Sequence, residues 1–218
     1  MKKPTIFATL VGAMLASSSQ AIIISTTGGA SLIATPADAR LNVLTSSTLA
    51  RCWNESQGYM LTSALNLDAA ATGAYNSEAS LPSVQPTVPA GTLVNSHYVH
   101  FDSPGGASAS VSGSVTFDQD ILGVICKGDA AATNKTMDLS DYLSSGTLYD
   151  DGLADRGMEL AANADTFSIS ANRRTVTFHM AITEPGDRIR IVTVPEPFSM
   201  LGLASGLGFL LARKRRKA

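Results

Sequence analysis

Three histidines and a scatter of carboxylates are the residues of this chain whose types could support chemistry. His97 and His100 spell H-x-x-H, but the residues around them alternate as a strand does, and positions three apart on a strand point to opposite faces. A metal site shared by that pair would need a bulge, so both read as surface or half-buried histidines. His179 lies among Thr177, Phe178 and Met180 of another strand. No serine occupies a G-x-S-x-G context, and nothing in the sequence points to a Ser-His-Asp triad.

Carboxylates are the stronger candidates. Asp118 and Asp120 flank Gln119 at a strand end, and Asp150, Asp151 and Asp155 share a glycine-containing loop. Loop carboxylates with backbone carbonyls are what Ca2+ requires, so a structural calcium ion is a candidate at either group, although neither has a D-x-D-x-D-G pattern. Two carboxylates roughly 5–10 Å apart would equally serve a glycosidase as acid and base. Glycan binding would use exposed aromatics, with Tyr75, Tyr98, Tyr142 and Tyr149 as platforms. Trp53 adjoins Cys52 and is expected to pack on a disulfide. The sequons Asn54-Glu55-Ser56 and Asn134-Lys135-Thr136 read as chance matches in composition. No catalytic residue and no cofactor beyond such an ion is expected.

Strands must position these side chains. Loose or clear alternation runs through Leu41–Leu49, Tyr59–Leu67, Thr92–Asp102, Ser114–Phe117, Ile121–Cys126, Thr166–Ser170, Thr175–Ile182 and Arg188–Val194. Turn clusters separate them, among them Ser103-Pro104-Gly105-Gly106, Ala171-Asn172-Arg173 and Glu184-Pro185-Gly186-Asp187. Short strands with this punctuation and hardly any helical stripe predict an all-β fold, an antiparallel β-sandwich of jelly-roll type. One short helix is expected at Leu139–Leu143, with Asp138 as its N-cap.

The two ends differ from the body. Met1-Lys2-Lys3, the apolar run Ile6–Ala16 and the small polar stretch Ser17–Ala21 have the order of a secretory signal peptide, with cleavage expected after Ala21. At the other end, Pro195 and Pro197 hold the chain extended before an uncharged apolar run, Phe198–Ala212, and a block of five cations, Arg213-Lys214-Arg215-Arg216-Lys217. As a helix that run would cover roughly 22 Å at ~1.5 Å per residue, short of a ~30 Å hydrocarbon core. The cations read as a stop on the cytoplasmic side.

Val194-Pro195-Glu196-Pro197, the apolar run and the basic block together resemble the PEP-CTERM sorting signal of Gram-negative bacteria. That resemblance covers about the last tenth of the chain. It implies a transmembrane sorting helix, a transient anchor in the inner membrane with the body outside, and processing at Pro195-Glu196-Pro197 by an exosortase-like enzyme. A second resemblance rests on Val94–Asp102, Gly113–Asp118, Asp120–Ile125 and Pro185–Ile191, and is to the ectodomain of a recurring group of exported PEP-CTERM proteins. It implies one integral domain and no chemistry.

The whole chain carries 16 Lys and Arg against 18 Asp and Glu, a net charge of −2. Residues 40–193 alone carry 9 against 16, a net −7, so an acidic body is hidden by basic ends. Such a body argues against nucleic acid, which needs clustered cations. The only cysteines, Cys52 and Cys126, are expected to form one disulfide in an oxidising compartment, worth roughly 4–5 kcal/mol for a loop of that length. The chain thus divides into a signal peptide (1–21), a loose segment (22–39), a β-sandwich ectodomain (40–193) and a sorting signal (194–218). The expected role is that of a non-enzymatic surface or extracellular-matrix protein, structural or adhesive, with exopolysaccharide as a candidate partner. The alternative is a secreted polysaccharide or peptide hydrolase with the same tail.

Overall fold

The computed structural model describes residues 21–128, 136–144, 146–150, 156–160, 164–182 and 186–195. The strands are β1 (Ile23–Gly28), β2 (Ala30–Leu32), β3 (Ala50–Met60), β4 (Leu65–Asn66), β5 (Gly73–Tyr75), β6 (Thr87–Val88), β7 (Leu93–Phe101), β8 (Ala109–Phe117), β9 (Ile121–Ile125), β10 (Thr166–Ile169), β11 (Thr175–Ile182) and β12 (Asp187–Thr193). Among the described residues helix is confined to one turn, α1 (Thr136–Leu139), and 3-10 turns, one of which covers Asp141–Leu143. The helix expected at Leu139–Leu143 is therefore split in two, and Asp138 lies within α1 rather than at its cap.

Alternation explains the cleanest strands. In β8 the apolar Val111, Val115 and Phe117 are buried while the intervening serines and Thr116 lean outward. Val176, Phe178, Met180 and Ile182 do the same in β11, and the two strands pair without a break from Thr175 opposite Thr116 to Ile182 opposite Ala109. They sit in a five-stranded sheet of order β1-β8-β11-β10-β5. A second five-stranded sheet has the order β2-β3-β7-β12-β9. All pairings are antiparallel except that of β2 with β3. The all-β expectation holds.

The segment expected to be loose, 22–39, instead supplies one strand to each sheet. The chain steps from β1 to β2 across Gly28 and Gly29. Gly28 has φ +63°, and a Cβ on Gly29 would lie 2.2 Å from Val111 Cγ2, so side chains are excluded at this crossing. The expected strand at Leu41–Leu49 is turn and irregular chain, whereas β3, the longest strand, begins at Ala50. Its register slips between Asn54 and Ser56 and again before Tyr59, which breaks the period-2 pattern that sequence reading relies on.

Inward residues of both sheets, among them Val115, Phe117, Phe167 and Phe178 with Val99, Phe101, Ile189 and Ile191, form one buried cluster. A second cluster covers the other face of the second sheet, where Trp53, Val94, Tyr98, Ile125 and Val192 meet Leu61, Leu67, Met137 and Leu143. The second sheet is thus enclosed on both sides, and every residue of β12 is buried. Among the described residues no helix is long and apolar enough to cross a membrane; the run 198–212 lies outside them.

The ladder of the second sheet corrects the disulfide. Both cysteines are free and buried. Cys52 on β3 faces Val99 on β7, Val99 faces Ile189 on β12, and Arg190 faces Ile125 on β9, which brings Cys126 level with Ile189. Two strands intervene. Three strand spacings of ~4.8 Å separate the Cα atoms by about 14 Å, twice the ~7 Å that a disulfide tolerates.

Candidate functional site

Two of the three histidines are buried in the fold. His97 and His100 lie on opposite faces of β7, as residues three apart on a strand must, but both are buried rather than surface residues. His97 packs between the sheets against Phe117, ring centroids 4.6 Å apart. Asn54 Oδ1 accepts the Ile23 N–H at 3.0 Å, so His97 Nδ1 donates to it at 2.9 Å and Nε2 accepts from Thr193 Oγ1 at 3.0 Å. The ring is neutral, and desolvation pushes its pKa down to about 3. His100 faces the other way, accepts Arg188 Nε–H on Nδ1 at 3.1 Å, and is held neutral by burial and by the nearby Arg188 and Arg156 charges. His179 Nδ1 lies 2.7 Å from Ser112 Oγ at the outer surface of the first sheet.

The second face of the second sheet holds an enclosed ionic network. Trp53, Tyr98 and Arg190 stand side by side in one ladder row. Arg190 donates Nε–H and Nη2–H to the two oxygens of Glu55, each at 2.7 Å, and both side chains have no exposure. Arg190 also reaches Asp141 Oδ1 at 3.0 Å, the Met137 carbonyl at 3.1 Å and Ser140 Oγ. Tyr149 donates to Glu55 Oε1 at 2.6 Å, and burial and the Glu55 charge push its phenol pKa up. Arg156 spans Asp138 at 2.9 Å and Asp141 at 2.6 Å while lying 4.9 Å from the Tyr149 ring centre. Arg188 binds Asp150 Oδ2 at 2.9 Å. These pairs pin α1 and its neighbouring turn to the sheet; the arginines are fully buried, while Asp138, Asp141 and Asp150 keep a partly exposed side.

The described carboxylates of the expected calcium groups each have partners within the fold. Asp118 Oδ1 accepts the Ile22 N–H at 2.8 Å, Asp120 pairs with Arg174 at 3.3 Å, and Asp150 is held by Leu41 N at 2.7 Å as well as by Arg188. Asp151 and Asp155 lie outside the described residues. Among the aromatic platforms Tyr75, Tyr98 and Tyr149 are buried, and Tyr142 is exposed, 5.7 Å from Tyr59. Trp53 is buried against Tyr98 with centroids 4.9 Å apart, and not on a disulfide. Of the sorting residues, Val194 donates its N–H to the Asp120 carbonyl at 3.0 Å and accepts from Asn95 Nδ2 at 3.3 Å; Glu196, Pro197 and Arg213–Lys217 lie outside the described residues.

A different set of acids does converge. One carboxylate oxygen each from Glu159, Asp165 and Asp187 lie within 4.8 Å of one another. Asp165 stands just before β10, bridged to Leu160; Asp187 opens β12; Glu159 precedes Leu160. Asp165 Oδ2 accepts the Glu159 N–H and Oδ1 the Ala181 N–H, both at 2.8 Å, so both its oxygens are served. Asp187 is 1% exposed, and its Oδ2 is enclosed with no hydrogen-bond partner. Burial, and then the Asp165 charge, push the Asp187 carboxyl up to about 10. Glu159 is exposed and gives the cluster one open side.

No family model, curated protein or solved structure matches the chain. The residues themselves must therefore carry the assignment. Sequence reasoning missed the three converging acids because each is isolated in the chain, with no motif spacing to mark it.

Proposed function

We propose that this chain is an exported, non-enzymatic surface or extracellular-matrix protein with a β-sandwich ectodomain of jelly-roll type. Its signal peptide is removed after Ala21. Its C-terminal PEP-CTERM segment anchors it transiently in the inner membrane until an exosortase-like enzyme processes it at Pro195-Glu196-Pro197. The body has a structural or adhesive role, with exopolysaccharide as its candidate partner.

One observation carries this reading: the strands abut both processing segments without overlapping them. Strand β1 begins at Ile23, two residues beyond the expected signal cleavage, and β12 ends at Thr193, one residue before Val194-Pro195. Removing both segments leaves every strand in place. Two further features support a structural role. The buried charges hold the fold's own elements together, and Asp165 and Asp187 are both about 1% exposed, out of reach of a polymer chain. The exposed Tyr142 beside Tyr59 is the aromatic surface that supports glycan contact.

Mass spectrometry of the mature protein from cells with and without the sorting enzyme tests the route. The expected result is loss of the segment after Pro195-Glu196-Pro197 only where the enzyme is present. An intact Phe198–Ala218 tail in normal cells would overturn it. Incubating the full chain with matrix polysaccharides tests the role: retention without cleavage is expected, and depolymerisation would favour the hydrolase.

A further inference from the structure

We propose that Glu159, Asp165 and Asp187 form a calcium site that ties the two five-stranded sheets together. The site stands independently of the export route above. Its first support is convergence: three carboxylates from separate parts of the chain bring oxygens within 4.8 Å of one another. Its second is the unserved Asp187 Oδ2, enclosed in a side chain 1% exposed and belonging to that same cluster. Asp165 takes the Glu159 and Ala181 N–H groups on its own two oxygens, each at 2.8 Å.

The chemistry of the donors selects the ion. Three carboxylates with no imidazole or thiolate form a hard, oxygen-only set, suited to Ca2+ rather than to zinc or copper. Oxygens about 2.4 Å from one Ca2+ can stand up to about 4.8 Å apart, a limit that the oxygens of this cluster do not exceed. Mg2+, at about 2.1 Å, demands a near-ideal octahedron and keeps several waters, which an irregular and largely buried carboxylate set does not favour. The exposed Glu159 provides the path by which an ion enters and the side on which waters complete its coordination.

Position gives the ion its role. Asp165 leads into β10 and is bonded to Ala181 of β11, both in the first sheet, while Asp187 begins β12 in the second. Glu159 extends from the segment that also carries Arg156, an anchor of the enclosed ionic network. Calcium bound here would join one end of the first sheet to the first residue of a central strand of the second.

The full chain, purified in detergent and stripped with EGTA, is to be dialysed against radioactive 45Ca2+ and melted with Ca2+ or with Mg2+. One Ca2+ per chain is expected, with Kd on the order of 10⁻⁴–10⁻³ M as in extracellular modules, and a Tm that rises with Ca2+ more than with Mg2+. Glu159→Gln, a change at an exposed side chain, should weaken binding by about tenfold or more as the ligand charge falls. Asp187→Asn should abolish both binding and the Ca2+-dependent rise. No retained ion at about ten times the upper Kd, unchanged binding in Glu159→Gln, or an equal response to Mg2+ would each overturn the proposal. The first of these would leave the pair satisfied by a shared proton. If Asp187→Asn fails to fold, the Glu159→Gln result decides.

Discussion

Arg190 keeps its charge in a place without water because Glu55, Asp141, Ser140 and the Met137 carbonyl all face it. Such pairs add little net stability over a well-packed apolar pair, yet removing one partner leaves the other buried and uncompensated. Glu55→Gln is therefore expected to cost about 3–5 kcal/mol in urea unfolding, while the double change Glu55→Leu with Arg190→Met should cost less than that single one. The buried histidines make a second prediction. In the folded chain His97 and His100 stay neutral, whereas in the unfolded chain each takes up a proton below about pH 6.5. The unfolded state then binds more protons, so stability is lost as pH falls below about 6.5, in the case of His97 until about 3, by up to about 1.4 kcal/mol per unit for each ring. Urea unfolding at stepped pH should show that slope, and His97→Gln should flatten it by about half. An unchanged slope in the variant would show that His97 is charged in the folded state.

At the level of elements, strands were legible where apolar residues recur at strand spacing between turn clusters. Thr175–Ile182 coincides with β11, and β7, β9, β10 and β12 agree with the sequence to within a residue or so at their ends. Strand β3 escaped because its bulges put Asn54, Glu55, Ser56 and Gln57 out of simple alternation. The Arg188-Ile189-Arg190-Ile191 pattern did reveal a strand, but alternation of charge and aliphatic normally marks a solvated face. Here that face is covered by α1, the Asp141–Leu143 turn and Tyr149, and the sequence carries no local sign of the cover. The cysteines failed for a related reason, since compartment and number argue for a bridge but pairing depends on strand order. Two intervening strands forbid it. Dithiothreitol should accordingly leave Tm unchanged, and a thiol reagent should find no reactive thiol in the folded body and two in guanidinium. Burial pushes the Cys52 thiol up to about 12, which further suppresses reaction in the native state.

Across the whole molecule, the last strand is not an edge. β12 lies between β7 and β9, and β1 pairs with β8, Ile23 opposite Phe117. A chain lacking Asp187–Thr193 would leave β9 detached from its sheet and strip partners from both buried clusters. It should lose cooperative unfolding, seen as a flat thermal trace in near-ultraviolet circular dichroism; a sharp transition in that truncation would refute this dependence. The central seat of β12 also governs timing. A chain made from its first residue onward holds β7 and β9 apart until residue 193 is available, so the second sheet cannot close before that strand is made. With no disulfide to wait for, topology alone delays folding. Under the export route proposed here, the polypeptide would therefore enter the translocation channel still extended, and its final strand would become free to insert only as the sorting tail arrived at the membrane behind it.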